Sequence, residues 1–140
     1  MAEFAKVACR LIEGPVSLDW ALSRVAHPDA GATVSFLGTV RQSNQNQQVL
    51  GIYYQAYAAM VESEFKAIAE GSAAGLRVAL EHAVGEVKVG HATIALAVGA
   101  AHRAEAFAVG ETMMNQIKDR LPIWKKELYP DGSSWLGQGS

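Results

Sequence analysis

The stretch from Ala92 to Glu127 limits what this chain can fold into more than any other, because it reads as strand, helix and exit loop. An apolar run from Ile94 to Val98 ends in small residues, and a helix opens near Ala101 with His102 and Arg103 in its first turn. Phe107, Gly110, Met114, Ile117 and Leu121 recur at spacings of three and four, which predicts the core face of a helix over about 101–121. The helix closes on Lys118 and Arg120 just before Pro122, which cannot continue it, and Lys125 and Lys126 follow at once.

Around this unit the pattern predicts strands over 4–12, 31–41, 49–57, 76–84 and 91–99. It predicts helices over 17–27, with Ser17 as N-cap, and over 59–74, with Val61, Phe65, Ile68 and Ser72 on one stripe. In GATVSFLGTVR (31–41), Val34, Phe36 and Val40 alternate against Thr33, Ser35, Thr39 and Arg41. The polar run QSNQNQQ (42–48) separates it from the next strand, so the two read as a hairpin with a mobile tip. GEVKVG (85–90) reads as the turn between two later strands, and 123–129 as a strand before the turn Pro130-Asp131-Gly132. Strands and helices alternate without a regular βαβ rhythm, so the expected class is α+β rather than a doubly wound sheet. No repeat or linker divides the 140 residues, and one domain over 1–140 is expected.

Half the residues are apolar, 19% are charged and the net charge is −2, so no overall field draws this chain to nucleic acid or an anionic membrane. No apolar run reaches the roughly 18 residues of a membrane span, and the first residues lack the pattern of a secretory signal. A cytoplasmic location is therefore expected. Cys9, the one cysteine, falls in an alternating strand pattern and reads as a small core residue. The histidines at 27, 82, 91 and 102 have no metal-ligand spacing, so neither a metal nor a cofactor is expected.

Local clusters of base carry the functional signal. A His102–Arg103 pair at a helix N-terminus, where the backbone is already positive, suits a phosphate or carboxylate, although a solvated pair has the same spacing. Lys118 lies about 60° from the centre of the predicted core stripe, so its stem can pack while its amine reaches a cleft. Beyond Pro122 the chain can bring Lys125 back toward it. Two ammonium groups held close lower each other's pKa, which would let one act as base or nucleophile; two solvated lysines remain the alternative. Arg41 ends a strand on the polar face, and its fork geometry suits a phosphate.

Three segments, GATVSFLGTVR, AHRAEAF and IKDRLPIWKKE, stand in order and at matching separations. Together they resemble the large, catalytic subunit of molybdopterin synthase, with its G-A-x-x-x-F-x-G-x-V-R strand, S-A-H-R-x-x-A-F helix start and K-x-x-x-P-x-W-K-x-E exit. The likeness covers about residues 4–136. It departs at Gln55, where an acid is common, at Ala83, where an arginine is common, and at Gly99 and Ala100, where serines are common.

The resemblance implies an α/β hammerhead fold, an α+β arrangement with a mixed or antiparallel sheet. It implies sulfur transfer to cyclic pyranopterin monophosphate, giving the dithiolene of molybdopterin. The sulfur would arrive as a thiocarboxylate on the C-terminal Gly-Gly of a small ubiquitin-like carrier. Two large subunits would form the homodimer core of a heterotetramer. By the same resemblance Lys118 and Lys125 are the catalytic lysines. Thr39, Val40 and Arg41 form a strand-end substrate contact, His102 and Arg103 an anion-binding pair offered across the dimer. Lys126 and Glu127 complete the exit motif, with Glu127 orienting a lysine by ion pairing. The competing expectation is a non-catalytic, dimeric module that binds a phosphopterin or nucleotide through Arg41, His102 and Arg103.

Overall fold

A computed structural model describes residues 6–139, so positions 4 and 5 of the first expected strand lie outside the described residues. Its elements are β1 (Val7–Glu13), α1 (Leu18–Val25), β2 (Ala32–Thr39), β3 (Ser43–Asn44), β4 (Gln47–Gln48), β5 (Gly51–Ala56), α2 (Ala58–Ser72), β6 (Arg77–Lys88), β7 (Ala92–Ala100), α3 (Arg103–Arg120), β8 (Ile123–Leu128) and β9 (Ser134–Gln138). The class is α+β, as expected.

The long strand β6 organises the sheet, whose order is β2-β7-β6-β5-β8-β9 with β1 also on β6. The first half of β6 pairs with β7 antiparallel and with β1 parallel; the second half, Gly85–Lys88, pairs with β5. The neighbour changes from β1 to β5 at Gly85, which sits at φ +78°, a conformation that side-chain-bearing residues adopt at a penalty. One strand thus joins two sheet halves, and GEVK is strand where a turn was expected. The turn follows at Val89–Gly90.

The expected hairpin between 31–41 and 49–57 does not form. β2 is an edge strand paired only with β7, whereas β5 lies between β6 and β8. The polar run between them closes on itself as the tiny hairpin β3–β4, its tip formed by Gln45 and Asn46 at φ 50° and 65°. Local polarity marks such a loop but carries no information about which strands it separates in space.

Apolar side chains from both sheet halves and α2 and α3 fill one core, including Phe65, Ile68, Leu80, Leu96, Met113 and Ile117. Val61, Phe65 and Ile68 of α2 are fully buried as expected, and Ser72 is half-buried. In α3 the buried residues are Ala106, Gly110, Met113 and Ile117. The helix is therefore rotated from the expected stripe, Met114 is half-buried and Phe107 is 64% exposed. Adjacent methionines leave the three-and-four spacing open to either register. A Cβ on Gly110, which both registers share, would sit 3.4 Å from Val34 of β2, so the helix lies close on the sheet at this point. Ser17 stands at the N-cap of α1 without a side-chain capping bond.

Replacing Gly85 with alanine places a Cβ in the left-handed region and should lower stability by about 1–2 kcal/mol. Chemical denaturation of Gly85→Ala checks this; an unchanged midpoint would show that this point of β6 tolerates any residue.

Candidate active site

Two turns of chain bring the candidate residues together. A register shift between Gly38 and Thr39 ends the regular β2–β7 pairing and re-aims the following residues. Val40 exchanges backbone hydrogen bonds with His91 and Gly90, which fixes Thr39–Arg41 at the strand end. At the other side, the C-cap Leu121 and Ile123, both buried, pin the Pro122 corner between α3 and β8. On β8 the side chains alternate, so Lys125 and Glu127 share a face with Tyr54 and Ile52 of β5, while Trp124 and Lys126 point to the other face.

The result is a cleft of about 390 Å³. Thr39, Val40 and Arg41 line it from the end of β2, Lys118 from the last turn of α3, and Lys125 and Glu127 from β8. Tyr54, Thr93, Ile94 and Asn44 complete its walls. Three cations and one carboxylate line this cleft, so it favours an anionic guest.

Lys118 lies on the flank of α3, roughly 110° from the centre of the observed buried stripe. It is exposed along part of its length and lines the cleft. Burial, and after it repulsion from the Lys125 ammonium, lower its pKa below the ordinary lysine value. The juxtaposition expected of Lys118 and Lys125 is therefore present.

Glu127 is held by partners to which the sequence did not point. It is 5% exposed, and its carboxylate accepts hydrogen bonds from Asn44 Nδ2 at 3.0 and 3.1 Å and from the Tyr129 hydroxyl at 2.9 Å. Through Asn44 it ties the β3–β4 hairpin to β8, so the polar run acts as a strut beside the cleft. Nothing in the spacing of Asn44 or Tyr129 pointed to Glu127; an asparagine in a glutamine-rich run was the only local signal.

Lys126 lies on the outer face of β8, beside a hollow of about 350 Å³ with Tyr53, Gln55, Trp124 and Leu136. Lys125 lines both hollow and cleft. His102, the N-cap of α3, and Arg103 are exposed. They stand about 22 Å along the helix from Lys118 and do not line this cleft. The sequence also gave no weight to Tyr54 and His82. Tyr54 is 3% exposed, and burial raises its pKa despite a hydrogen bond from Thr93. The His82 ring meets it edge-on at 5.0 Å.

The MoaE family, described as "MoaE protein", matches residues 11–120. The chain belongs to this family. It is 39% identical to molybdopterin synthase catalytic subunit 1 of Mycobacterium tuberculosis, over 98% of this chain and 95% of that one. Its fold superposes on molybdopterin synthase from Staphylococcus aureus with a TM-score of 0.85, at 25% identity and over 99% and 98% of the two chains. It also matches, with a TM-score of 0.77 at 21% identity, over 96% of this chain and 91% of that one, a Helicobacter pylori structure described as a complex of subunits 1 and 2 of molybdopterin-converting factor. Among the described residues, no helix is long and apolar enough to cross a membrane, and no three potential metal-binding His, Cys, Asp or Glu side chains cluster.

Burial holds the His82 pKa down at about 4, below its ordinary 6.5. The folded protein therefore keeps this ring neutral while the unfolded chain takes up a proton as pH falls through 6.5. The contribution to stability is complete above about pH 6.5 and is lost as pH falls toward 4. Urea denaturation should show stability lower by about 2 kcal/mol at pH 5 than at pH 7 from this group. A His82→Phe variant should lose that part of the slope, and an undiminished slope would contradict the assignment.

Proposed function

We propose that this chain is the catalytic subunit of a molybdopterin synthase, a sulfurtransferase of molybdenum cofactor biosynthesis that acts with a small sulfur-carrier subunit. The pairing of Lys118 with Lys125 in an anion-favouring cleft, on a chain of the MoaE family, carries this reading. The substrate is cyclic pyranopterin monophosphate. The sulfur comes from the thiocarboxylate at the carrier's C-terminal Gly-Gly, so the enzyme needs no reactive cysteine of its own. Cys9 suits no such role: burial raises its pKa to about 12.

In the cleft, the lowered pKa of Lys118 gives its amine a larger neutral fraction than an ordinary lysine has at the same pH. That amine exchanges protons with the reacting sulfur and oxygen or adds to the thiocarboxylate carbonyl. Lys125 stays beside it as the fixed positive charge that stabilises the oxyanion, thiolate or phosphate developing there. Arg41, with Thr39 and Val40 holding the strand end, anchors the phosphate. Glu127, bound to Asn44 and Tyr129, supports this end of β8 and the hairpin beside it. Lys126, on the outer aromatic face, meets the body of the carrier rather than the pterin. The complex of subunits described for the Helicobacter pylori relative accords with such a partner.

His102 and Arg103 act across a homodimer that forms the core of a heterotetramer. A groove of about 460 Å³ between the edge strand β2 and α3 supports this, since Phe36 and Phe107 stand exposed in it at 41% and 64%. A second copy covering that groove would bury both rings and bring its His102 and Arg103, one turn from Phe107, toward the neighbouring cleft. The location we assign is cytoplasmic, where the reduced carrier thiocarboxylate is stable, and the whole chain serves as one catalytic domain.

Single-turnover conversion of cyclic pyranopterin monophosphate with thiocarboxylated carrier tests the assignment. The native chain should form molybdopterin, and Lys118→Ala should lower the rate at least a hundredfold while still binding carrier. Equal rates would remove Lys118 from the reaction. Lys125→Met removes the smaller of the two causes of the lowered Lys118 pKa, so the acidic, ascending limb of the rate profile should move to higher pH; a limb that stays in place would rule out that coupling.

Complementation tests the contribution in trans. Mixing Lys118→Ala with Arg103→Ala protomers should restore activity, because each mixed dimer then holds one intact cleft. No recovery in demonstrably mixed dimers would place Arg103 with its own chain's Lys118.

A further inference from the structure

One buried polar group beside the cleft has no structural partner to account for it. His82 is 0% exposed on β6, opposite Ile94 of β7, and Ile94 and Tyr54 both line the cleft. Its ring is fixed from two sides. The Nδ1 atom lies 2.8 Å from the Ala83 carbonyl oxygen, and Tyr54 meets the ring edge-on. A carbonyl only accepts, so Nδ1 carries the proton and Nε2 presents a lone pair. Nε2 is buried and has no hydrogen-bond partner among the described residues. Leaving a buried acceptor unsatisfied destabilises the fold, and a phenylalanine would fill the same space without that penalty. The cation within electrostatic reach of this ring is Lys118.

We propose that His82 is a positioning residue for Lys118: from behind the cleft wall it offers an uncharged nitrogen lone pair, to which the Lys118 amine donates when it moves inward to meet the thiocarboxylate. The inference rests on the sulfur-transfer reading above. A neutral acceptor suits this position better than a carboxylate. It orients the amine without pairing with its charge, which would stabilise the ammonium form and leave less free amine. Burial serves the same end, since it keeps the ring neutral through the physiological range. No covalent step passes through His82. Lys118 also faces Lys125 and Glu127 of β8, Tyr54 of β5 and Arg41 beyond β2 across the cleft, so its protonation reports on all of them together.

The test compares His82→Phe, which keeps the ring and removes the lone pair, with His82→Gln, which restores an acceptor. With carrier and pterin at pH 7, His82→Phe should lower kcat about tenfold or more, leave both KM values within about twofold, and keep or raise Tm. His82→Gln should recover part of kcat. A merely structural role predicts the opposite pattern, a fall in Tm with no recovery by glutamine, and that result would overturn the proposal, as would an unchanged kcat in His82→Phe. If the native chain forms no product, the sulfur-transfer reading itself has failed. Acylation of Lys118 by acetic anhydride, followed by peptide mass spectrometry across pH, then decides the contact separately. A rate and pH midpoint for Lys118 unchanged by His82→Phe would overturn it, and a shifted midpoint would sustain it.

Discussion

The change of neighbour along β6 at Gly85 is the constraint on which the other features depend. A strand pairs with only one neighbour on each side at a given point. By changing that neighbour from β1 to β5, β6 joins a half-sheet that carries β2 and β7 to one that carries β5, β8 and β9. Arg41 comes from the first half and Lys125 from the second. Neither local sequence could bring them to one cleft; the shared strand does. α3 packs on β2, β7 and α2 and delivers Lys118 to the cleft at its final turn.

The electrostatics follow from that geometry. Lysines held far apart in water would titrate as ordinary surface groups. Here the Pro122 corner returns the chain so that Lys118 feels both burial and a second ammonium, and the two effects lower its pKa in the same direction. The one acid lining the cleft, Glu127, accepts hydrogen bonds from Asn44 and Tyr129.

The parts legible in the sequence were those fixed by local chemistry. The α2 stripe, the Pro122 stop, the strand after it and the α+β class follow from periodicity and punctuation. So does the convergence of Lys118 and Lys125, because a proline corner joins the elements that carry them. Strand pairing was not legible: β2 and β5 are adjacent in sequence but not in the sheet, and no side-chain pattern encodes that. The facing of α3 was lost because Met113 and Met114 satisfy two registers that share Gly110 and Ile117. Asn44 and His82 were missed since each matters through a contact 83 residues away in sequence or through a bond it lacks. His102 and Arg103 stand exposed at the start of α3, where the helix pattern placed them.

The most direct test of the account is a crystal structure of this chain with its carrier subunit bound. The account predicts an extended Gly-Gly tail in the cleft between Arg41 and Lys125, with its terminal carbon within about 3–3.5 Å of Lys118 Nζ. A tail ending on the outer aromatic face beside Lys126, or in the groove between β2 and α3, would contradict it.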